Sequence, residues 1–174
     1  MGDADNPARS VCIWVAEGTW PATVDAALRL APAGARFTLL HVTEPGPADA
    51  VRGAHLGLLG RGGRDPGPQM TELGTTSAAA LLAAAAGRLG RRCGQRAVQG
   101  QAERAVVAAS ADADLLIVAR DGDRARLGPR SLGRVTRFVV DHAACPVLLV
   151  WPEPAPAVGT MPAPPPHHPH PPEH

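Results

Sequence analysis

Two hydrophobic patterns alternate along this chain: short unbroken apolar runs, and longer stretches whose apolar positions recur every three or four residues. The unbroken runs lie in residues 10–16, 36–43, 115–119 and 146–151, with a weaker one at 96–99. Apolar side chains at successive positions point to both faces of a strand, so each run reads as a strand buried on both sides. The periodic stretches lie between them. Val24, Ala27, Leu28 and Ala31 form an i, i+3, i+4, i+7 stripe. Thr19 is placed to cap that helix and Pro21 sits in its first turn, while Pro32 and Gly34 end it. Residues 71–89 are alanine-rich and proline-free with Leu73, Leu81, Leu82 and Leu89, which predicts a helix despite Gly74 and Gly87. Residues 102–110 and 131–141 complete the set of helices.

Strands alternating with helices through mostly short connections imply right-handed crossovers and a parallel sheet covered on both faces. The expected architecture is a single three-layer α/β/α domain over residues 10–152, with a five-stranded, mainly parallel, Rossmann-like sheet. Ligands of such sheets bind where the carboxyl ends of neighbouring strands diverge, here Glu17, Val42 with Thr43, and the segment from Ala119 to Gly122. Three segments fall outside this pattern. Residues 1–9 read as a flexible N-terminal tail. Residues 44–68 read as a long mobile loop, since positions 46–68 hold seven glycines and three prolines. Residues 153–174 read as a disordered tail, because ten of the 23 residues from Pro152 onward are proline.

Composition narrows the function classes. With 174 residues and 45% hydrophobic content the chain can bury one core. No apolar run approaches the ~20 residues of a membrane span, and no secretory leader is visible, so a cytoplasmic protein without membrane contact is expected. Cys12, Cys93 and Cys145 are too few and too scattered for a disulfide framework or a zinc cage. A formal net charge of +1 and three Trp, two Phe and no Tyr argue against nucleic acid as a partner. The cations are concentrated instead: the chain has arginine and no lysine, and Arg120, Arg124, Arg126, Arg130, Arg134 and Arg137 crowd one loop and helix start. His167, His168 and His170 in the tail could bind metal weakly and adventitiously; their irregular spacing favours a solvated tail.

That loop carries the chemistry. An apolar strand, Leu115-Leu116-Ile117-Val118, runs into a segment holding Gly122, Gly128 and Gly133, then a helix, then His142-Ala143-Ala144-Cys145-Pro146 before the last strand. Backbone N–H groups at a helix start, together with guanidinium groups, favour a phosphate-like ligand. In these residues the chain resembles the universal stress protein family, whose pattern is an apolar strand, Gly-x-x-Gly, nine residues, Gly-Ser/Thr, a helix and His-Ala-x-Cys-Pro-Val. Gly122, Gly133, Val135, His142, Ala143, Cys145, Pro146 and Val147 match; Cys12 to Thr19 is similar to the family's first strand and acidic turn, Leu40-His41-Val42 with Pro45 to its second, and Gly100, Val106 and Ala109 to its third helix.

The resemblance implies an adenine nucleotide, ATP or AMP, with Mg2+ if ATP is bound. Carried over by position, it implies ribose contact by Glu17, adenine contact through the Val42 backbone, and a phosphate cradle from Gly122 and Gly133, with Thr19 nearby; Ala119 stands at the cradle's first position, and Arg134 with a charge-assisted fork and Ser131 with a hydroxyl are the further donors to a phosphate. Four departures stand out. Glu17 replaces Asp, Ala119 replaces the first loop glycine, ten residues rather than nine separate Gly122 from Gly133, and Arg134 replaces the hydroxyl residue. Asp121 and Asp123 read as partners of the surrounding arginines in exposed ion pairs.

The expected function is therefore a regulatory or stress-response module that binds an adenine nucleotide and is not an enzyme, although weak ATP hydrolysis stays open. The alternative is a module of the same fold that binds no nucleotide and works through dimerisation and unidentified protein partners. A homodimer through the final strand is expected, both from the resemblance and because residues 146–151 form an uncharged apolar strand. His41 reads as a packed core residue. His142 and Cys145 read as structural rather than as a catalytic dyad, and Asp112 and Asp114 as solvated turn residues.

Overall fold

A computed structural model describes residues 9–44 and 67–163, of which 67–75 by their backbone alone. The elements, in chain order, are β1 (Ser10–Trp14), α1 (Trp20–Leu30), β2 (Arg36–Thr43), α2 (Gly67–Leu89), β3 (Cys93–Gln99), α3 (Ala102–Ser110), β4 (Leu115–Ala119), α4 (Arg134–His142) and β5 (Val147–Val150). Two 3-10 turns, Pro129–Ser131 and Val158–Thr160, lie on either side of α4 and β5. Every strand pair is parallel, in the order β3-β2-β1-β4-β5. The expected three-layer parallel fold is present.

The unbroken apolar runs lie where burial on two faces requires them. Along β1 and the residue that follows it, Val11, Ile13 and Val15 face one layer with Val24, Ala27, Leu82 and Leu89, while Cys12 and Trp14 face the other with Val106, Leu116 and Val139. Thus α1 and α2 cover one face, and α3 and α4 the other. Leu116, Ile117 and Val118 in β4 are fully buried. β3 is an edge strand, largely exposed, and β5 is the other edge, half-buried at every position.

Several boundaries differ from the expectation. α2 begins at Gly67, four residues early and inside the span read as loop; Pro68 falls in its first turn, where a missing N–H costs nothing. The rest of the expected loop, residues 1–8 of the expected N-terminal tail and the histidines of the C-terminal tail lie outside the described residues. α4 begins at Arg134 rather than 131, because Pro129–Ser131 winds into a separate 3-10 turn. In α1 the buried face is Thr23, Val24, Ala26 and Ala27, and Leu28 turns outward, 43% exposed. Thr19 sits at the N-cap of α1, but its hydroxyl donates back to Ala16 O at 3.4 Å instead of capping. Residues 153–163, read as the start of a disordered tail, run back across the domain: Glu153 meets Arg124 and Thr160 meets Leu127.

Asp114 also does more than solvate a turn. Its carboxylate accepts the Ser10 N–H at 2.7 Å and the Ser10 hydroxyl at 3.1 Å, while its own N–H donates to Ser10 O at 2.9 Å, which ties the start of β1 to the entry of β4. The backbone bond, then the hydroxyl bond, hold the carboxyl below the ordinary Asp value of 3.8. A depressed folded-state pKa adds stability that is present above the ordinary value and lost as pH falls through the depressed one. Acid melting curves should therefore show a smaller loss below about pH 4 in Asp114→Asn than in the wild type. In the core, Ile117→Ala should cost about 2–5 kcal/mol in urea unfolding, the usual range for truncating a fully buried aliphatic side chain.

Candidate functional site

The strand order reverses direction at β1: the chain adds β2 and β3 on one side, then crosses to add β4 and β5 on the other. At such a switch point the connections leaving β1 and β4 diverge in opposite directions and open a crevice at their carboxyl ends. The residues leaving β1 are Val15, Ala16, Glu17 and Gly18. Those leaving β4 are Arg120, Asp121 and Gly122. Glu17 is exposed beside Gly18, whose φ of 71° lies in the left-handed region. Val42, near the end of β2, is buried.

The loop from β4 to α4 folds against itself. Gly122 N–H donates to Ser131 O at 3.0 Å and Asp123 N–H to Arg130 O at 2.8 Å. This apposition is so close that a Cβ at Gly122 would lie 2.3 Å from Arg130 O and 2.9 Å from Gly133 N, so no other residue fits without moving backbone. Gly133 is then brought to the carboxylate of Asp121: its N–H donates to Asp121 Oδ1 at 2.7 Å, and Thr136 N–H approaches Oδ2 at 3.4 Å. A Cβ at Gly133 would meet that carboxylate at 2.7–2.8 Å. The amino end of α4, with its free N–H groups and positive dipole end, thus already holds an anion supplied by the chain.

The arginines serve the loop itself. Arg120 lays its guanidinium 4.6 Å over the Trp151 ring and donates through Nη1 to Ser131 Oγ, while its buried Nε has no partner. Arg137 donates to Pro129 O at 2.7 Å, closing the 3-10 turn onto α4. Arg124 pairs with Glu153 at 3.0 Å. Arg134, expected at a phosphate, lies 3.6 Å from Glu103 Oε1 on α3 and is 84% exposed. Neither acid read as an arginine partner in the loop is needed for these contacts. Asp121 is held by backbone N–H groups, and Asp123 Oδ1 accepts Ala125 N–H at 2.9 Å in a local turn.

A universal stress protein family model matches residues 20–150. The chain belongs to the universal stress protein family. Solved structures agree on the fold. A universal stress protein in complex with cAMP is 21% identical, covers 84% of this chain and 98% of its own, and superposes with a TM-score of 0.57. A hypothetical protein whose biochemical function was assigned from its structure is 16% identical, with coverage of 84% and 98% and a TM-score of 0.63. A universal stress protein family protein from Arabidopsis thaliana with AMP bound is 19% identical, with coverage of 82% and 91% and a TM-score of 0.52. No curated protein matches the sequence significantly.

Set in this universal stress protein, the expected site residues divide into two groups. Glu17, the Val42 backbone, Ala119, Gly122 and Gly133 lie at the carboxyl ends of β1, β2 and β4 and on the loop leaving β4. Thr19 and Ser131 are buried with their hydroxyls turned inward, the first to Ala16 O, the second donating to Gly128 O at 2.7 Å. His41 is 9% exposed with Nδ1 2.8 Å from Val15 O; since a carbonyl only accepts, Nδ1 carries the proton. His142 Nδ1 lies 2.9 Å from Phe138 O and its ring stacks on Phe138, whereas burial pushes the Cys145 thiol up, so each has its own structural surroundings. The Cys12 thiol is raised to about 11 by burial and is a core side chain. Among the described residues no group of three or more His, Cys, Asp or Glu is placed to hold a metal, and no helix is long and apolar enough to cross a membrane.

Two residues were missed, Asp121 and Thr136. Thr136 is fully buried and donates to Ala119 O at 3.2 Å, fixing α4 to the end of β4. An acid among arginines reads as an ion pair; only the turn of the loop reveals that Asp121 faces a helix start. Gly133→Ala should destabilise the protein by about 1–3 kcal/mol, as overpacking does. In an Asp121→Ala background the same change should cost markedly less, and equal costs in both backgrounds, measured by chemical unfolding, would refute the contact.

Proposed function

We propose that this universal stress protein is a regulatory or stress-response module that binds an adenine nucleotide, AMP or ATP, in the crevice between β1 and β4. The observation that carries the reading is the anion at the start of α4. The Gly133 N–H already grips a carboxylate oxygen at 2.7 Å, and a phosphate oxygen has the same charge and acceptor character. Glu17 stands at the end of β1, where a ribose hydroxyl could donate to it, and the Val42 carbonyl and N–H are the groups for an adenine edge. The structures solved with cAMP and AMP support the same ligand class. Mg2+ would accompany ATP. We assign no catalytic role, since Thr19 and Ser131 are turned inward and His41 is occupied by a backbone carbonyl.

A phosphate entering this site must displace Asp121. Calorimetric titration should therefore show weak AMP and ATP binding to the wild type, and Asp121→Ala should strengthen ATP binding by about tenfold once a like charge leaves the helix terminus. Arg134→Ala should change affinity little. An Asp121→Ala protein that binds no better than the wild type would overturn the placement of the phosphate.

A second reading, a protein-interaction module that binds no nucleotide, is favoured by the same carboxylate and by the position of β5. That strand is a sheet edge whose side chains are already half-covered on both faces, so its unpaired backbone groups are what it offers to a second copy. A homodimer through β5, antiparallel across a two-fold axis, satisfies those groups in both protomers. Sedimentation at tens of micromolar should give a dimer, with Leu149→Lys shifting it to monomer while the circular dichroism spectrum is retained. A wild-type monomer under those conditions would remove β5 as the interface.

A further inference from the structure

The segment that follows β5 does not leave the domain. It crosses the outside of the β4–α4 loop and is fastened to it at three points. Glu153 Oε1 pairs with Arg124 Nη1 at 3.0 Å. Leu127 N–H donates to Thr160 Oγ1 at 3.1 Å, and that hydroxyl is itself oriented by donating to Ala157 O at 2.7 Å. Pro162 closes over Gly128, whose φ of 120° suits glycine and where a Cβ would lie 3.3 Å from the proline ring. A cavity of about 440 Å³ remains between loop and segment, lined by Arg126, Leu127, Pro129, Arg130, Thr160 and Pro162. The fastening is thus a few discrete contacts over incomplete packing, and Val158 and Met161 on the segment are 75% and 59% exposed.

We propose that residues 152–163 form a strap that holds the glycine-rich loop closed upon Asp121, so that release of the strap controls when the loop can open. Three features make the strap separable from the fold it covers. Its anchors are polar or single-ring contacts, each worth little on its own. None of the strap residues after Trp151 belongs to the two buried cores. The loop positions it grips, Arg124, Leu127 and Gly128, lie between the two arms of the loop, 122–123 and 130–133, whose mutual hydrogen bonds set the closed form. Loosening the grip lets those arms part without disturbing β4 or α4. That the opened loop admits a phosphate rests on the nucleotide reading above; that the strap governs the loop does not.

Hydrogen exchange on the full-length chain tests this, comparing the wild type with a Glu153→Gln, Thr160→Val, Pro162→Gly variant. The diagnostic amides are Gly122 and Asp123, because their hydrogen bonds, to Ser131 O and Arg130 O, join the two arms of the loop and include no strap atom. They should exchange about tenfold faster or more in the variant, while Leu116 and Ile117 in β4 keep their wild-type rates, the pattern of local rather than global opening. Thr160→Val alone, the loss of one hydroxyl, should move the same two amides in the same direction by less. Unchanged exchange at Gly122 and Asp123 in both variants overturns the strap, as does a parallel rise at Ile117, which would mean that the segment only adds global stability. Melting curves with millimolar AMP form the second arm: a larger shift in the variant than in the wild type supports strap and nucleotide reading together. Faster loop exchange with no AMP response in either protein supports the strap and defeats the nucleotide reading.

Discussion

The central strands of a parallel sheet leave no face for water, and most of what this chain does follows from that constraint. Parallel strands joined by crossover helices must be covered above and below. β1 meets the requirement in full: Val11, Ile13 and Val15 are at most 1% exposed on one side, Cys12 and Trp14 at most 8% on the other. With β1 central, the chain must place later strands on both of its sides, and the reversal between β2 and β4 is what opens a crevice at the carboxyl ends. The site is thus a by-product of topology. Its chemistry is a separate matter, decided by the turn that leaves β4.

In that turn, backbone geometry and charge are coupled. Gly122 allows the two arms of the loop to touch, and this contact delivers Gly133 to the Asp121 carboxylate. The carboxylate then does what a bound anion would do: it satisfies an N–H at the helix start and opposes the positive end of the helix dipole, an effect of ~0.3–1 kcal/mol at an exposed position. The arginines that suggest a phosphate from sequence alone act around it as struts. Arg137 binds the 3-10 turn, Arg120 spans from Ser131 to Trp151, and Arg124 reaches the strap. A cluster of one charge in sequence need not be a cluster aimed at one ligand.

The contrast shows what could be read from residues alone. β2, α3 and β4 lie at the expected positions, because unbroken apolar runs and a short alanine-valine helix admit few other solutions. Edges were harder. β3 begins at Cys93 rather than Arg96, since a largely exposed edge strand carries no apolar signature over Cys93-Gly94-Gln95. Leu28 was misplaced by a hydrophobic stripe that ignores the small residues: Thr23 and Ala26 are buried and Leu28 is not, because small side chains let α1 approach the sheet closely there. In the site, Gly122 and Gly133 were legible because glycine at a loop–helix junction points to close backbone approach. Asp121 was not, because whether an acid pairs with an arginine or with a helix start depends on a turn whose direction is set by contacts ten residues away. The strap was hidden for a similar reason: proline-rich composition argues against a core of its own, but says nothing against lying on another one.

These observations change what the departures from the family pattern mean. Each one taken singly looks like decay of a phosphate site: an alanine for a glycine, an arginine for a hydroxyl residue, one extra loop residue. Together they describe a loop built to be self-sufficient. Ala119 is 5% exposed and its carbonyl accepts the Thr136 hydroxyl, so its methyl lies in the core while α4 is fixed to β4 from beneath. The longer loop includes the 3-10 turn that presents Ser131 to Arg120 and the glycine that receives Pro162. Arg134 lies 3.6 Å from Oε1 of Glu103 on α3, whose Oε2 is buried without a partner. A loop that had merely lost its ligand would leave such polar groups unpaired at a helix start, at about 1–3 kcal/mol for each that is buried. Among the described residues, Arg120 Nε and Glu103 Oε2 are the two buried side-chain polar atoms without a partner. At the start of α4 the anion beside the Gly133 N–H is thus one the chain itself supplies, and any phosphate must compete with it.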